Sequence, residues 1–157
     1  MRIRTPLWGT LEVADDQLVH LPEGLVGFED FHRFVLVDVA EYHPFLWLLS
    51  TENPSVGFAV AEPRYFREGT YPVTLSATDE SHLELAAGDT LAIFVIIAID
   101  AEQCVTANLR GPIVLNTRNR IAKQIIAFGT SLSLREPIRP GLAAPPVSAV
   151  EPAVSGA

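Results

Sequence analysis

The sequence predicts an all-β domain of about ten short strands with little helix, on three observations. Short runs of β-branched and aromatic residues recur along most of the chain, punctuated by Gly, Pro and Asn turn signals. No segment sustains the apolar period of a long amphipathic helix. The longest apolar run, residues 91–99, is nine residues long, which suits a buried strand and is about half of what a membrane helix needs. The chain of 157 residues is 48% hydrophobic and 19% charged, enough for one domain with a packed core.

Each element follows from local chemistry. Residues 2–6 and 10–13 are expected to pair across Leu7, Trp8 and Gly9. Residues 17–21 alternate polar and apolar side chains, as a half-buried strand does. Pro22, Glu23 and Gly24 end that strand, and Gly24 and Gly27 bracket a tight connection that exploits positive φ. Residues 29–32 read as a short helical turn. Strands are expected over 34–39, 45–49 and 56–61, with Asn53-Pro54 turning the chain between the last two. Residues 63–69 read as loop and 71–76 as strand. Ser81 and Glu84 have capping-box spacing, but no long apolar run follows, so at most one helical turn is expected there. Residues 90–99 form the central strand, and 103–109 and 113–115 continue the sheet on either side of Gly111-Pro112. Residues 121–128 fit helix or strand, with Ile125, Ile126 and Phe128 favouring strand. Residues 131–135 form a last strand or a short helix. Trp47, Phe58 and Ile113 are assigned to the core. From Pro137 onward the composition turns to Pro, Ala, Val and Gly without an aromatic. The chain therefore divides into a domain over residues 1–136 and a disordered Pro/Ala-rich tail over residues 137–157. Such strands close as a compact antiparallel barrel or pack as a sandwich.

The net charge is −8 and unevenly spread: 17 acidic and 5 basic residues up to Cys104, then 2 and 6. An acidic surface repels nucleic acid and attracts a basic partner, although it also serves solubility alone. Cys104 is the only cysteine, which excludes an internal disulfide. The first residues lack the apolar stretch of a signal peptide, so a cytoplasmic protein without membrane contact, monomeric when free, is expected.

Chemistry that would mark an enzyme is missing. Asp15-Asp16, Glu29-Asp30 and Asp79-Glu80 are adjacent acidic pairs, and neighbours on a strand point to opposite faces, which suits solvated turns rather than catalytic dyads. His20, His32, His43 and His82 lie far apart without metal-ligand spacing. The glycines of Gly24-Leu25-Val26-Gly27-Phe28 lack the Lys and Ser/Thr that complete a phosphate loop. No catalytic residue, cofactor or metal is therefore expected. A rival reading rests on Arg110, Arg118, Arg120 and Lys123, a basic cluster on a small barrel that could bind single-stranded nucleic acid. Such grooves interleave exposed aromatics, and here only Phe128 follows Phe94.

Four blocks carry a resemblance. They are Leu21-Pro22-Glu23-Gly24-Leu25-Val26-Gly27-Phe28-Glu29, then Pro44-Phe45-Leu46-Trp47-Leu48-Leu49-Ser50, then Phe58-Ala59-Val60 with Pro63. The last is Asn108-Leu109-Arg110-Gly111-Pro112-Ile113-Val114-Leu115-Asn116 with Gln124. In order and spacing the chain resembles the flagellar assembly factor FliW family, from about Ile3 to Arg135. It departs at Leu21, Leu49 and Ala122, where the family usually carries Phe, Gln and often Gly. The resemblance implies a small β-barrel and a non-enzymatic regulator. It further implies two partners: flagellin, and the RNA-binding translational repressor CsrA, which the protein captures once flagellin is secreted, so that flagellin translation resumes. No direct nucleic-acid contact is implied. Partner contacts are expected in loops and at the polar members of the last block. The candidates are Phe28, Glu29, Glu52, Asn53, Asn108 and Asn116. For the two asparagines, a side chain bonded to its own turn is an equal alternative. For Phe28 the alternative is core.

Overall fold

A computed structural model describes residues 1–6, 9–68, 71–102, 104–126 and 132–139, and among these described residues are ten strands and one short helix. The strands are β1 (Arg2–Thr5), β2 (Gly9–Glu12), β3 (Leu18–His20), β4 (Arg33–Val37) and β5 (Leu46–Ser50). They continue as β6 (Gly57–Ala61), β7 (Leu91–Ile99), β8 (Val105–Asn116), β9 (Ile121–Gln124) and β10 (Glu136–Pro137), with helix α1 (Ala77–His82) between β6 and β7. β1 and β2 form a separate hairpin. The others join in the order β10-β8-β7-β6-β5-β4-β3-β9, and β9 also pairs with β8. That last pairing closes seven strands into a barrel, with β10 added on β8 outside the closed set. Neighbours are antiparallel except β3 and β9, which meet in parallel through His20 and Ile121. The barrel expected from the sequence is thus the fold.

Alternation along the strands sorts side chains into layers. Val19, Phe34, Leu48, Phe58, Val60, Ile113, Leu115 and Ala122 are buried together with the partly covered Ala92 and Phe94, so every one of the seven strands contributes to the interior. The opposite faces of β4 to β8 carry Val35, Val37, Trp47, Leu49, Ala59, Ala61, Val95, Ile97, Val105, Ala107 and Leu109. These make a second core, covered by Ile3, Val13, Phe66 and Leu132. The central strands are therefore apolar on both faces, which is why their sequence reads as continuous runs. Trp47 and Phe58 are both buried, but on opposite sides of the sheet, and Tyr42 meets the Trp47 ring edge-on at 5.9 Å. Residues 71–89 lay Val73, Leu75, Leu83 and Leu85 over the outer face of β7, β8 and β9.

Several local expectations change. Residues 71–76 form no strand: their apolar side chains pack on the barrel's outside, and Pro72 lacks the N–H a ladder needs. The helical turn begins earlier than Ser81. Ser76 caps α1, its Oγ accepting from Asp79 N at 3.0 Å while the Asp79 carboxylate accepts from Ser76 N at 2.9 Å. Residues 29–32 are turn without helix. The two runs around Gly111-Pro112 are one strand, β8, interrupted by a bulge: Phe94 faces Ile113 but Ile96 faces Asn108, so residues 109–112 stand opposite Val95 alone. The described residues 136–139 are bonded to the rest of the domain. Glu136 and Pro137 pair with Ala107 and Thr106, Ile138 N donates to Val105 O at 3.1 Å, and Arg139 N donates to Tyr65 O at 2.9 Å. Phe128, Ser131 and the tail from Pro140 lie outside the described residues.

Candidate protein-docking surface

Two of the sequence blocks meet through one side chain. Gly24 and Gly27 hold φ of +66° and +86°, which lets residues 24–28 turn back on themselves and bridge Leu25 to Phe28. Gln124 Oε1, from β9, accepts the Val26 N–H at 2.9 Å, and its Nε2 donates to Gly111 O at 3.0 Å in the β8 bulge. A side chain at Gly111 would collide with Gln124 Nε2 at 2.8 Å, so only glycine admits the clamp. The turn leaves Val26 65% exposed, because its neighbours bend too tightly to bury it. A cavity of about 190 Å³ opens beside it, lined by Glu23, Val26, Glu29, Lys123 and Gln124.

Four of the six candidate residues come together at this end of the barrel. Phe28 is half-buried and meets Phe58 edge-on at 5.0 Å, closing the barrel end while leaving part of its ring to solvent. Glu29 is exposed, and its carboxylate accepts the Gly27 N–H at 2.8 Å. Glu52, in the β5–β6 connection, accepts the His32 and Arg33 N–H groups at 2.7 and 2.8 Å and so ties the two loops together. Those bonds, His32 first, hold its pKa below the ordinary carboxylate value. Asn53 Oδ1 accepts Ser55 N at 2.9 Å and forms the turn before β6.

The two remaining candidates part company. Asn108 is half-buried, and its Oδ1 accepts Arg110 N at 2.9 Å inside the bulge, near the Gln124 clamp. Asn116 is fully buried. Its Nδ2 donates to Leu83 O at 3.1 Å and to Asp89 Oδ2 at 3.0 Å, and its Oδ1 accepts Arg118 N at 3.2 Å. Its Oδ1 thus bonds its own turn, while its Nδ2 bonds the distant segment of Leu83 and Asp89.

Every cation of the basic cluster is engaged within the protein. Arg110 Nε donates to Leu132 O at 2.6 Å and Arg120 Nε to Leu18 O at 3.0 Å. Arg118 pairs with Asp89 at 2.7 Å, which drives the Asp89 pKa far below the carboxylate range, helped by the Ala86 N–H. Lys123 reaches Asp79 at 2.7 Å, Glu23 at 3.3 Å and His82 Nδ1 at 2.8 Å. Burial alone would lower the Lys123 pKa, but the two carboxylates outweigh it and hold it above the ordinary lysine value. Glu29, Asp30 and Glu52 face outward at the clamped end around Val26 and the Phe28 edge, beside the exposed His32 and Arg33, while Glu23 is paired with Lys123 and His82. Sequence reasoning missed Val26 and Gln124 as members of this surface. The signal available was Val26's position between two glycines.

Fold and surface together define a closed β-barrel whose polar loop residues hold one another in place, with no converging set of His, Cys, Asp or Glu metal ligands among the described residues. No described helix is long and apolar enough to cross a membrane. The chain belongs to the FliW family: the family model described as FliW protein matches residues 2–138. It is 38% identical over 139 residues to the flagellar assembly factor FliW of Bdellovibrio bacteriovorus, covering 88% of this chain and 79% of that one. It is 36% identical over 139 residues to the protein of the same name from Geotalea uraniireducens, covering 87% and 83%. A crystal structure of the flagellar assembly factor FliW superimposes with a TM-score of 0.79 at 30% identity, over 91% of this chain and 100% of that one.

Proposed function

We propose that this protein is a non-enzymatic regulator of flagellar assembly that binds flagellin and, when free of it, captures a CsrA-type translational repressor, so that flagellin translation resumes. The observation that carries the reading is the acidic, partly apolar barrel end on a member of the FliW family. An RNA-binding repressor presents a basic surface, and Glu29, Asp30 and Glu52 supply complementary charge around Val26. Glu29 and Glu52 are held by backbone N–H groups, so this face is preorganised. Direct nucleic-acid binding finds less support, because Arg110, Arg118, Arg120 and Lys123 already have internal partners.

The test is surface plasmon resonance with the CsrA-type regulator of the same organism, at two salt concentrations, for the wild type and Asp30→Lys. Asp30 is exposed, and its replacement breaks none of the loop bonds made by Glu29 and Glu52. Association should slow in high salt and in the variant. A rate indifferent to both removes the electrostatic part of the proposal, and no binding at tens of micromolar removes the partner itself. In a parallel fluorescence titration, a labelled single-stranded RNA should show no tight, salt-sensitive binding.

A further inference from the structure

β7 outruns its neighbour β6. The two pair only through Val60 with Ile96 and Ala61 with Val95. Pro63, which by register would meet Ile93 next, has no N–H. It starts a 3-10 turn and gives its carbonyl to Phe66 N at 2.9 Å and Arg67 N at 3.1 Å. The main-chain groups along β7 alternate in direction. Thr90 O accepts Thr117 N at 3.0 Å, so Thr90, Ala92 and Phe94 direct theirs towards β8. Leu91, Ile93 and Val95 direct theirs the other way, where Val95 is met by Ala61. Among the described residues, no hydrogen bond reaches Leu91 or Ile93 from that side. Both residues are partly exposed, and they border a cavity of about 460 Å³ that Pro63, Arg67 and Tyr71 also line. Alternate residues with unspent N–H and C=O groups are a template for an incoming strand.

The side chains around the cavity set the chemistry of what fits there. Tyr71 donates its hydroxyl to Leu109 O, and burial pushes its pKa up to about 12, so the ring is a neutral wall. The positive charge of Arg67 opposes that shift, which sets the guanidinium close to Tyr71. Arg64 is already engaged: its Nε lies 3.3 Å from Glu62, and its guanidinium stands 4.8 Å over the Tyr65 ring. Glu68 is engaged as well, by Arg139 at 2.9 Å. Arg67 has no ion-pair partner among the described residues. With Glu62 and Glu68 both taken, the unspent charge of the cavity is positive, and a guanidinium in that position selects a carboxylate from outside.

We propose that this edge of β7 is a second docking site, which takes an extended segment of a partner protein as an added strand along residues 91–94, with a carboxylate of that segment on Arg67. Main-chain pairing supplies the affinity, and the Arg67 contact selects an acidic segment. The site shares no lining residue with the cavity at the clamped end, and its charge preference is the opposite one. It therefore stands independently of the partner assigned to that end.

The test is an NMR titration of the full chain, nitrogen-15 labelled, with a blocked synthetic heptapeptide that alternates valine and threonine around a central glutamate. The Leu91 and Ile93 amide resonances should shift saturably, with a Kd below about 1 mM. Their exchange with solvent should slow by about tenfold or more at saturation, while Val95, already paired to Ala61, stays unchanged. The same peptide with glutamine in place of glutamate should bind the wild type about threefold more weakly, and Arg67→Glu should reverse that preference. Ile93→Pro, which removes an edge N–H and none that faces β8, should lose the peptide. Arg67→Glu keeps the test decisive if the proline variant does not fold. No saturable shift at Leu91 and Ile93 overturns the proposal, and so does equal affinity for the two peptides. Slow exchange of both amides in the peptide-free protein overturns it too, because the edge would then already be filled.

Discussion

Replacing Gly24 and Gly27 separately by alanine isolates the role of the turn that builds the docking surface. Both residues have positive φ, +66° and +86°, so both variants place an L-residue in the left-handed region at about 1–2 kcal/mol. The loss of backbone entropy in the unfolded chain returns about half a kcal/mol to each. From there the two differ. A Cβ at Gly27 meets nothing within 4 Å. A Cβ at Gly24 falls 2.6 Å from Glu29 Cα and 2.7 Å from Phe28 O, both backbone atoms that no rotamer change can move. The turn must open, which loosens the 2.7 Å bond from Phe28 N to Leu25 O and lifts Phe28 from Phe58. Overpacking of this kind adds about 1–3 kcal/mol. Gly27→Ala should therefore cost about 1 kcal/mol and Gly24→Ala about 3 kcal/mol. With a urea slope of about 2 kcal/mol per molar, the midpoints should fall by about 0.5 M and 1.5 M. Equal midpoints, or a larger loss for Gly27→Ala, would refute the packing account of the turn.

Other outcomes follow from the same geometry. Trp47→Ala should cost about 3–5 kcal/mol in urea denaturation, because a fully buried indole leaves a cavity in the outer core. Asn116→Ala should cost about 1–2 kcal/mol by removing the buried hydrogen bonds to Leu83 O, Asp89 Oδ2 and Arg118 N, with Asn119 and Ala86 N still serving the first two acceptors, while the folded variant keeps wild-type affinity for partners. Glu52 has a folded pKa below its ordinary value of 4.5, so the stability it contributes is complete above that value and is lost as pH falls through the depressed one. Glu52→Gln should flatten the acid limb of a stability–pH curve between pH 7 and 3, and superimposable limbs would contradict the capping role.

The strands were legible because apolar, β-branched runs between Gly, Pro and Asn signals leave few alternatives. What closes them was not. The barrel is sealed by β9 reaching both β8 and β3, the latter through His20 and Ile121, residues about a hundred positions apart whose pairing has no local signature. The β8 bulge was visible only as a Gly-Pro break, and its effect depends on Gln124 filling the space that Gly111 leaves. Residues 71–76 had strand propensity but no strand to pair with, and tertiary packing decided the outcome. The four loop candidates were recognised as loop residues, yet their meeting at one end rests on Glu52 binding the backbone of His32 and Arg33, some twenty residues away. Asn108 and Asn116 occupy symmetrical places in one motif. Only burial separates them, because Asn116 lies beneath the segment carrying Leu83 and Asp89. The basic cluster read as a surface patch for the same reason: its counter-charges, Asp79 and Asp89, come from a distant part of the chain.

The most direct measurement of the proposed function is displacement. The CsrA-type regulator of the same organism is bound to a labelled flagellin leader RNA, and fluorescence anisotropy follows the complex as this protein is added. The account predicts that anisotropy falls to that of free RNA as the protein approaches stoichiometry with the regulator, and that adding flagellin restores it. RNA that stays bound in the presence of excess folded protein would contradict the account.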